Sequence, residues 1–316
     1  MASVSASRKF ARLRPRKSAS GARRFRREAQ EWTAKGVLFC AAASSVLITA
    51  AIVCVLLYES SSFFREVSLG EFLTGTRWAP LFDPPQHGIL PLVTATLVTT
   101  GIALTVALPI GTIIAIYLSE FAPFTLRECL KPSLELLSAV PTIVYGYFAL
   151  QFASPILQTF IPGLPQANML SAGIVMGIMI VPYVSSLSED AMRSVPMLLR
   201  EGSYALGGNK FITAWNVVVP SALSGIGAAY ILGISRAIGE TMIVAVAAGM
   251  QPRLTFDPRD QAQTITAYIV ATSQGEAEHG TVAYQSIFAA GLALFVMTLV
   301  FNILGYWLRR RYHQAY

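Results

Sequence analysis

The sequence predicts an all-α, polytopic membrane protein with six transmembrane helices. Three observations predict it. Of 316 residues, 54% are hydrophobic and only 13% are charged, against about 25% charged in soluble globular chains. A soluble protein of this length needs more charge than that to cover its surface. The uncharged residues are gathered into long runs separated by short polar or proline-rich breaks, and both ends of the chain are basic while the stretch between them is acidic by five.

Residues 1–35 hold eleven Lys/Arg against Glu28 and Glu31, a net +9. Such an arm can bind nucleic acid. Running straight into an apolar span, it is better explained as a cytoplasmic anchor on anionic lipid, and no nucleic-acid partner is expected. Residues 1–25 are expected to be largely disordered. Gly36–Tyr58 is uncharged over 23 residues, enough for one crossing. A cleaved signal peptide would have a shorter apolar core, about 7–15 residues, so a retained helix is expected.

A loop over 59–88 follows, then a second span in the 31 uncharged residues Ile89–Ser119, with Pro109 inside it. Leu136–Ser188 is 53 residues without a charge or a histidine. That is too long for one helix. Breakers and amides cluster at Pro155, Pro162-Gly163 and Pro165-Gln166-Ala167-Asn168, which predicts spans over 136–160 and 167–187. Pro109, Pro141 and Pro182 are expected to kink their helices. Gly173 and Gly177 permit close helix packing.

The fifth run starts at Phe211 and continues through Arg236 and Glu240 to Gln251, with one helix expected over Leu223–Gly249, about 40 Å long. Gly280–Leu308 is the sixth. The organisation is then a basic arm (1–35), a first helix (36–58), an external loop (59–88), a five-helix core (89–308) carrying an internal connector (189–220), and a basic tail (309–316).

An even number of spans puts both termini on one side, and both are the most basic parts of the chain, so both are expected in the cytoplasm. Loops 59–88 and 252–279 each carry a net −2, fitting the outer side. In the second, Asp257, Arg259, Asp260, Glu276 and Glu278 read as solvated charges. Cys40, Cys54 and Cys129 are too few and odd in number for a disulfide framework, and are expected to be small buried hydrophobes. His87, His279 and His313 have no ligand or catalytic spacing, so neither a metal site nor a cofactor is expected. With no nucleophile–base pair visible either, the chain does not read as an enzyme. No Gly-Lys dipeptide occurs, so the phosphate cradle of an ATPase is absent and ATP-driven work would need a separate chain.

Two places carry more than topology. The first is the connector between the fourth and fifth spans. Pro196 restarts a helix, Gly207-Gly208 makes a turn, and a second amphipathic stretch runs to Pro220, predicting two short helices on the cytoplasmic surface. The second is Ser235-Arg236-Ala237-Ile238-Gly239-Glu240-Thr241. In a continuous fifth helix Arg236 is the middle residue. A charge at mid-bilayer costs about 2.5–3.5 kcal/mol on insertion scales, so such residues pair with each other or line a watery path. Arg four residues before Glu is the poorer order for an ion pair, and a guanidinium suits a tetrahedral oxyanion. In the alternative, the run breaks at Arg236 and these residues cap an interfacial turn.

The connector resembles the "EAA" loop of ABC importer permeases. Glu201, Gly207 and Pro220 fall in register with that motif, Val217 and Val219 take its aliphatic places, and Gly202 and Ser203 stand where it has two alanines. The resemblance implies a type I (MetI-like) permease fold. It also implies that Glu201, Gly202, Ser203, Leu206 and Gly207, with Pro220 behind them, dock on an ATPase subunit. Arg236-Ala-Ile-Gly-Glu240-Thr241, Ala139-Val-Pro141-Thr-Ile-Val-Tyr145-Gly146 and Trp78-Ala-Pro80 in a long first external loop resemble the phosphate-specific permeases, the PstC branch above all. Thr94-Ala95-Thr96 departs slightly from that branch, which commonly has Gly before the threonine.

The family implies an inner-membrane permease of a phosphate importer working by alternating access, with Arg236 and Glu240 on the substrate path. Its implied partners are a second permease (PstA-like), two ATPase subunits (PstB-like), a periplasmic phosphate-binding protein (PstS-like) and membrane lipid. A permease for sulfate or molybdate, or a secondary transporter with inverted repeats, is the alternative.

Overall fold

The computed structural model describes residues 21–276, Glu278 and residues 280–311, and the expected disorder of the arm falls mostly outside them. From Gly21 onward the chain is helical. Apart from one two-stranded ribbon, all regular structure among the described residues is helix.

Helix α1 (Gly21–Glu66) contains the first apolar run and continues past both of its ends. The chain divides into two compact units, residues 1–55 and 56–316. In the first, the helix exposes Val37, Leu38, Phe39, Leu47 and Ile52. A helical stretch apolar all round, with its described side chains exposed, is suited to lipid or a partner.

The second unit holds everything else. After α2 (Leu69–Thr74), strands β1 (Trp78–Ala79) and β2 (Gln86–His87) pair antiparallel. Trp78 is buried in the ribbon and meets Tyr268 edge-on at 5.0 Å. The chain then enters α3 (Leu90–Ile116), which ends in a π turn, Tyr117–Phe121. Amphipathic α4 (Phe124–Ala139) occupies what the sequence marks as a loop, and buries no residue. Pro141 starts the next helical stretch, α5 (Thr142–Phe148) and α6 (Ser154–Phe160) joined by a π turn, bent 86° from α4. The expected third span therefore begins at Thr142 rather than at 136, because Pro141 cannot continue the hydrogen-bond ladder of α4.

Helix α7 (Met169–Arg193) follows the predicted break, and the Asn168 side chain caps it by accepting from Ser171 N–H at 2.7 Å. Pro109 and Pro182 lie inside α3 and α7 without interrupting them. These two helices form the centre of the unit, and glycine lets them meet. A Cβ on Gly173 would stand 2.7 Å from Cβ of Ile102, and one on Gly177 2.7 Å from the Ala103 carbonyl oxygen. The glycine pair is thus an intrachain packing seam.

Next come α8 (Met197–Ala205), α9 (Lys210–Thr213), a π turn (Ala214–Val218), α10 (Val219–Ser221) and α11 (Leu223–Ile238). The stretch Lys210–Ser221 and α11 are bent by 70°. The expected helix Leu223–Gly249 does not exist as one piece. Helix α11 stops at Ile238, Gly239 caps it, and α12 (Met242–Ala247) starts afresh. The chain then turns back, with Ala262 N–H donating to the Ala248 carbonyl at 3.0 Å, and α13 (Ile265–Ala271) packs inside. Ala262, Ile265, Ala267 and Tyr268 are all buried. Residues 262–268 of the expected solvated loop 252–279 are therefore core, their first amides pairing with the Ala248 and Gln251 carbonyls and the Thr96 hydroxyl. Asp257 and Arg259 do stay at the surface, where Arg259 holds the Asp257 carboxyl down at about 2. Helix α14 (Val282–Arg311) completes the fold.

Four helices, in α1, α3, α7 and α14, are long and apolar enough to cross a membrane, or six if each bent pair is one span. The three cysteines are exposed, against the expected burial. Cys40 and Cys54 lie on α1 and Cys129 on α4.

Candidate functional site

Two clusters of charged side chains sit along the α3/α7 pair, and they are built differently. The first lies where helix α11 breaks. Backbone N–H groups of Met242 and Ile243 would be left unpaired by the new start of α12. The Glu240 carboxylate accepts from both, at 3.2 and 3.4 Å. Its backbone carbonyl accepts from the Thr266 hydroxyl at 2.7 Å. Glu240 is buried, and it packs in a polar cluster with Thr96, Thr99 and Thr100 of α3 and Thr264 and Thr266 at the start of α13, which leaves no room for a water. Thr96 also accepts from Ile265 N–H at 3.1 Å.

Arg236 stands in the last turn of α11, four residues before Glu240. A cation there is favoured by the helix macrodipole. Its guanidinium lies over the Tyr183 ring of α7, 4.1 Å from the centroid, a cation–π contact. Its Nε is buried without a hydrogen-bond partner. Among the described residues no ion pair joins Arg236 to Glu240, so the pairing that the sequence left open, with Glu240 holding Arg236, does not form. The break turns the two side chains to different work: Glu240 caps a helix, and Arg236 keeps a donor in reserve. The alternative of a capped turn matches the capping, with Glu240 buried as it caps α12.

The second cluster holds the connector. Glu201, Gly202 and Ser203 are in α8, Leu206 ends it, and Gly207 takes φ +87, where a side chain would be strained. Gly208 N–H then donates to the Ser203 carbonyl at 2.9 Å, and Asn209 caps α9 through Ile212 N–H at 2.8 Å. Two short helices with a glycine turn are what the sequence predicts. The Ser203 and Thr213 hydroxyls, 2.8 Å apart, tie them together. Glu201 and Leu206 point outward, Leu206 with 92% of its surface exposed beside Leu198 and Phe211. Pro220 is in the single turn α10.

Sequence reasoning missed what anchors this connector. Arg200, next to Glu201, is buried. It donates to the Glu120 carboxylate at 2.9 and 3.3 Å and to the carbonyls of Val195 and Met192 at 2.6 and 2.9 Å. Lys131 of α4 donates to Glu189 and Asp190 of α7, each at 2.6 Å, and Glu189 is fully buried. Nothing local marks these partners, since Glu120 lies 80 residues from Arg200.

Residues 107–314 match the family described as binding-protein-dependent transport system inner membrane component. The chain is 36% identical over 245 residues, 78% of its own length and 79% of the relative's, to a probable ABC transporter permease protein, YqgH, of Bacillus subtilis. It is 34% identical to the phosphate transport system permease protein PstC of Xylella fastidiosa, covering 74% of this chain and 76% of that one. With PstC of Mesorhizobium japonicum the identity is 33%, over 85% and 88%. Among solved structures, an alginate-importing bacterial ABC transporter superposes with a TM-score of 0.63 at 15% identity over 92% of this chain and 100% of that one. The MetNI methionine ABC transporter superposes with a TM-score of 0.54 at 16% identity over 72% and 95%. These two carry the fold alone.

Proposed function

Because this chain belongs to the family of binding-protein-dependent transport system inner membrane components, we propose that it is a membrane permease subunit of an ATP-driven phosphate importer. The relatives named as PstC favour phosphate over sulfate or molybdate, and no inverted repeat favours a secondary transporter. The one structural observation that carries the mechanism is Arg236: a half-buried guanidinium whose buried Nε has no acceptor among the described residues. A phosphate oxygen can take that bond, and the Tyr183 ring holds the group in place until it does. The threonines packed round Glu240 would offer hydroxyls to the anion only after the helices part, since they are closed on one another in this conformation. Binding there stays weak enough for release, since one exposed-edge guanidinium does not enclose the anion.

The subunit lies in the bacterial inner membrane with both termini in the cytoplasm. The face of α8 bearing Glu201 and Leu206, with the turn at Gly207, docks into an ATPase subunit. Arg200 and Glu120 pass its movement to the end of α3. The full assembly has a second related permease, two ATPase subunits and a periplasmic phosphate-binding protein, and the phosphate path closes and opens between the two permeases. No chemistry is done on the substrate, and ATP is hydrolysed by the separate subunits.

Uptake of radiolabelled phosphate by the reconstituted importer tests the reading. Arg236→Gln should remove uptake while the complex assembles and retains basal ATPase activity. Normal uptake by that variant takes Arg236 off the path.

A further inference from the structure

Two arginines at the opposite end of α3 and α7 from the connector have no part in the account above. Arg77 immediately precedes β1, and Arg253 lies in the segment that turns back after α12. Both line a cavity of about 880 Å³, walled also by Trp78, Phe82, Gln86 and Met250. Both side chains are exposed, and among the described residues neither is in an ion pair or a hydrogen bond. No carboxylate is among the residues that line the cavity. Asp257 is held by Arg259, Asp260 accepts from Thr255 at 2.6 Å, and Glu71 faces His87. Asp83 is close in sequence but does not line the cavity.

The two backbones are fixed, so the charges are presented rather than trailing. The Arg77 carbonyl accepts from Gly88 N–H at 2.9 Å, and Arg253 N–H donates to the Gln251 carbonyl, which also accepts from Gln263 N–H. The cavity leads inward. A smaller one of about 150 Å³ shares Trp78, Phe82, Met250 and Pro252 with it and reaches Gln263. The next residue, Thr264, packs beside Glu240, where no room for a water is left, so the way further inward is closed in this conformation.

We propose that Arg77 and Arg253 form a collecting site for inorganic phosphate at the outer mouth of this path, upstream of Arg236. Two guanidinium groups on the walls of one concavity, with no carboxylate to neutralise them, concentrate an oxyanion there. Their exposure keeps the hold weak, so the anion moves on rather than staying. The inference rests on the chain being a phosphate permease with its 59–88 loop on the outside.

The test uses the intact importer in lipid nanodiscs without its binding protein, and the probe is inorganic phosphate followed by ³¹P line broadening. The native complex should broaden the signal, and added chloride should reverse it. The double variant Arg77→Gln, Arg253→Gln should reduce the broadening about fivefold, and Lys at both positions should restore part of it. Broadening that is unchanged in the double Gln variant overturns the proposal. So does a double variant that binds phosphate normally but needs more binding protein to stimulate ATPase, since the arginines would then be a docking surface. Phosphate uptake by the native importer is scored separately: its absence sinks the phosphate reading itself, whereas normal uptake with insensitive broadening sinks only the collecting site.

Discussion

Arg200 is buried and Arg236 half-buried in the same helical unit, yet the fold treats them in opposite ways. Arg200 has a carboxylate and two carbonyls around it and donates to all three. Arg236 has an aromatic face beneath it and a buried Nε with nothing to bond. A guanidinium with all its neighbours satisfied is a strut, because moving it breaks several charge-assisted bonds at once. One left short is either a cost the fold carries or a site waiting for a ligand. Burial alone does not separate structural from working arginines here; the count of satisfied donors does.

That contrast can be broken by substitution. Arg236→Gln should lower phosphate uptake by a factor of about 100, the value of a lost charge-assisted bond, with little change in thermal stability. A large loss of stability instead would make Arg236 a second strut. Arg200→Met should do the reverse. It strands the buried Glu120 carboxylate and should cost about 2 kcal/mol of stability by thermal unfolding, with ATPase activity no longer stimulated by binding protein. Adding Glu120→Gln should recover part of that loss, and strict additivity of the two changes would show that the pair is not coupled.

Smaller effects sharpen the picture around the two sites. Gly177→Leu should cost about 1.5 kcal/mol by overpacking the α3/α7 seam; a neutral result would mean that the helices stand further apart. Glu240→Ala should lose the cap on α12, about 1 kcal/mol, while Glu240→Gln, which can still accept through its carbonyl oxygen, should lose less. Equal losses in the two variants would mean that the charge, rather than the cap, is what matters.

The smallest effect concerns His87 in the two-stranded ribbon. Its burial pushes the imidazole below the ordinary 6.5, and the neighbouring Glu71 only partly opposes this. The unfolded chain therefore takes up the proton first. The contribution of His87 to stability is complete above about pH 6.5 and falls away as the solution is acidified. Melting curves between pH 5 and 8 should show the native protein losing ground in acid relative to His87→Gln, and parallel curves would contradict this.

Much of the scaffold was legible in the residues because its signals are local. The breakers at 161–168 end one helix and Asn168 caps the next, as their side-chain chemistry requires. Pro196 restarts the chain into α8, and Gly207 takes a left-handed turn that glycine adopts without strain. The fifth apolar run was not legible. Residues 223–249 are uniformly apolar enough to be one helix, and a hydropathy window has no means of seeing that Glu240 can pay for a break there by capping α12. The fold-back over 262–268 was hidden for the same reason: Gln263, Thr264 and Thr266 look solvated until their partners are known.

The sequence by itself determined that this chain lives in a membrane, roughly where its apolar runs begin and end, and that a glycine-hinged connector joins two of them. Transfer from water into lipid is close to a sum over residues, so composition in a window is enough to read it. Tertiary structure decided where the fifth run is interrupted, which arginine is tied down and which is left with a free donor, and that residues 262–268 become core. Those outcomes depend on pairing every buried polar group, and the partners come from far along the chain: Thr266 for the Glu240 carbonyl, Glu120 for Arg200. Inside a bilayer an unpaired backbone or side-chain group costs several kcal/mol, so those distant pairings, rather than the local hydropathy, select the final arrangement.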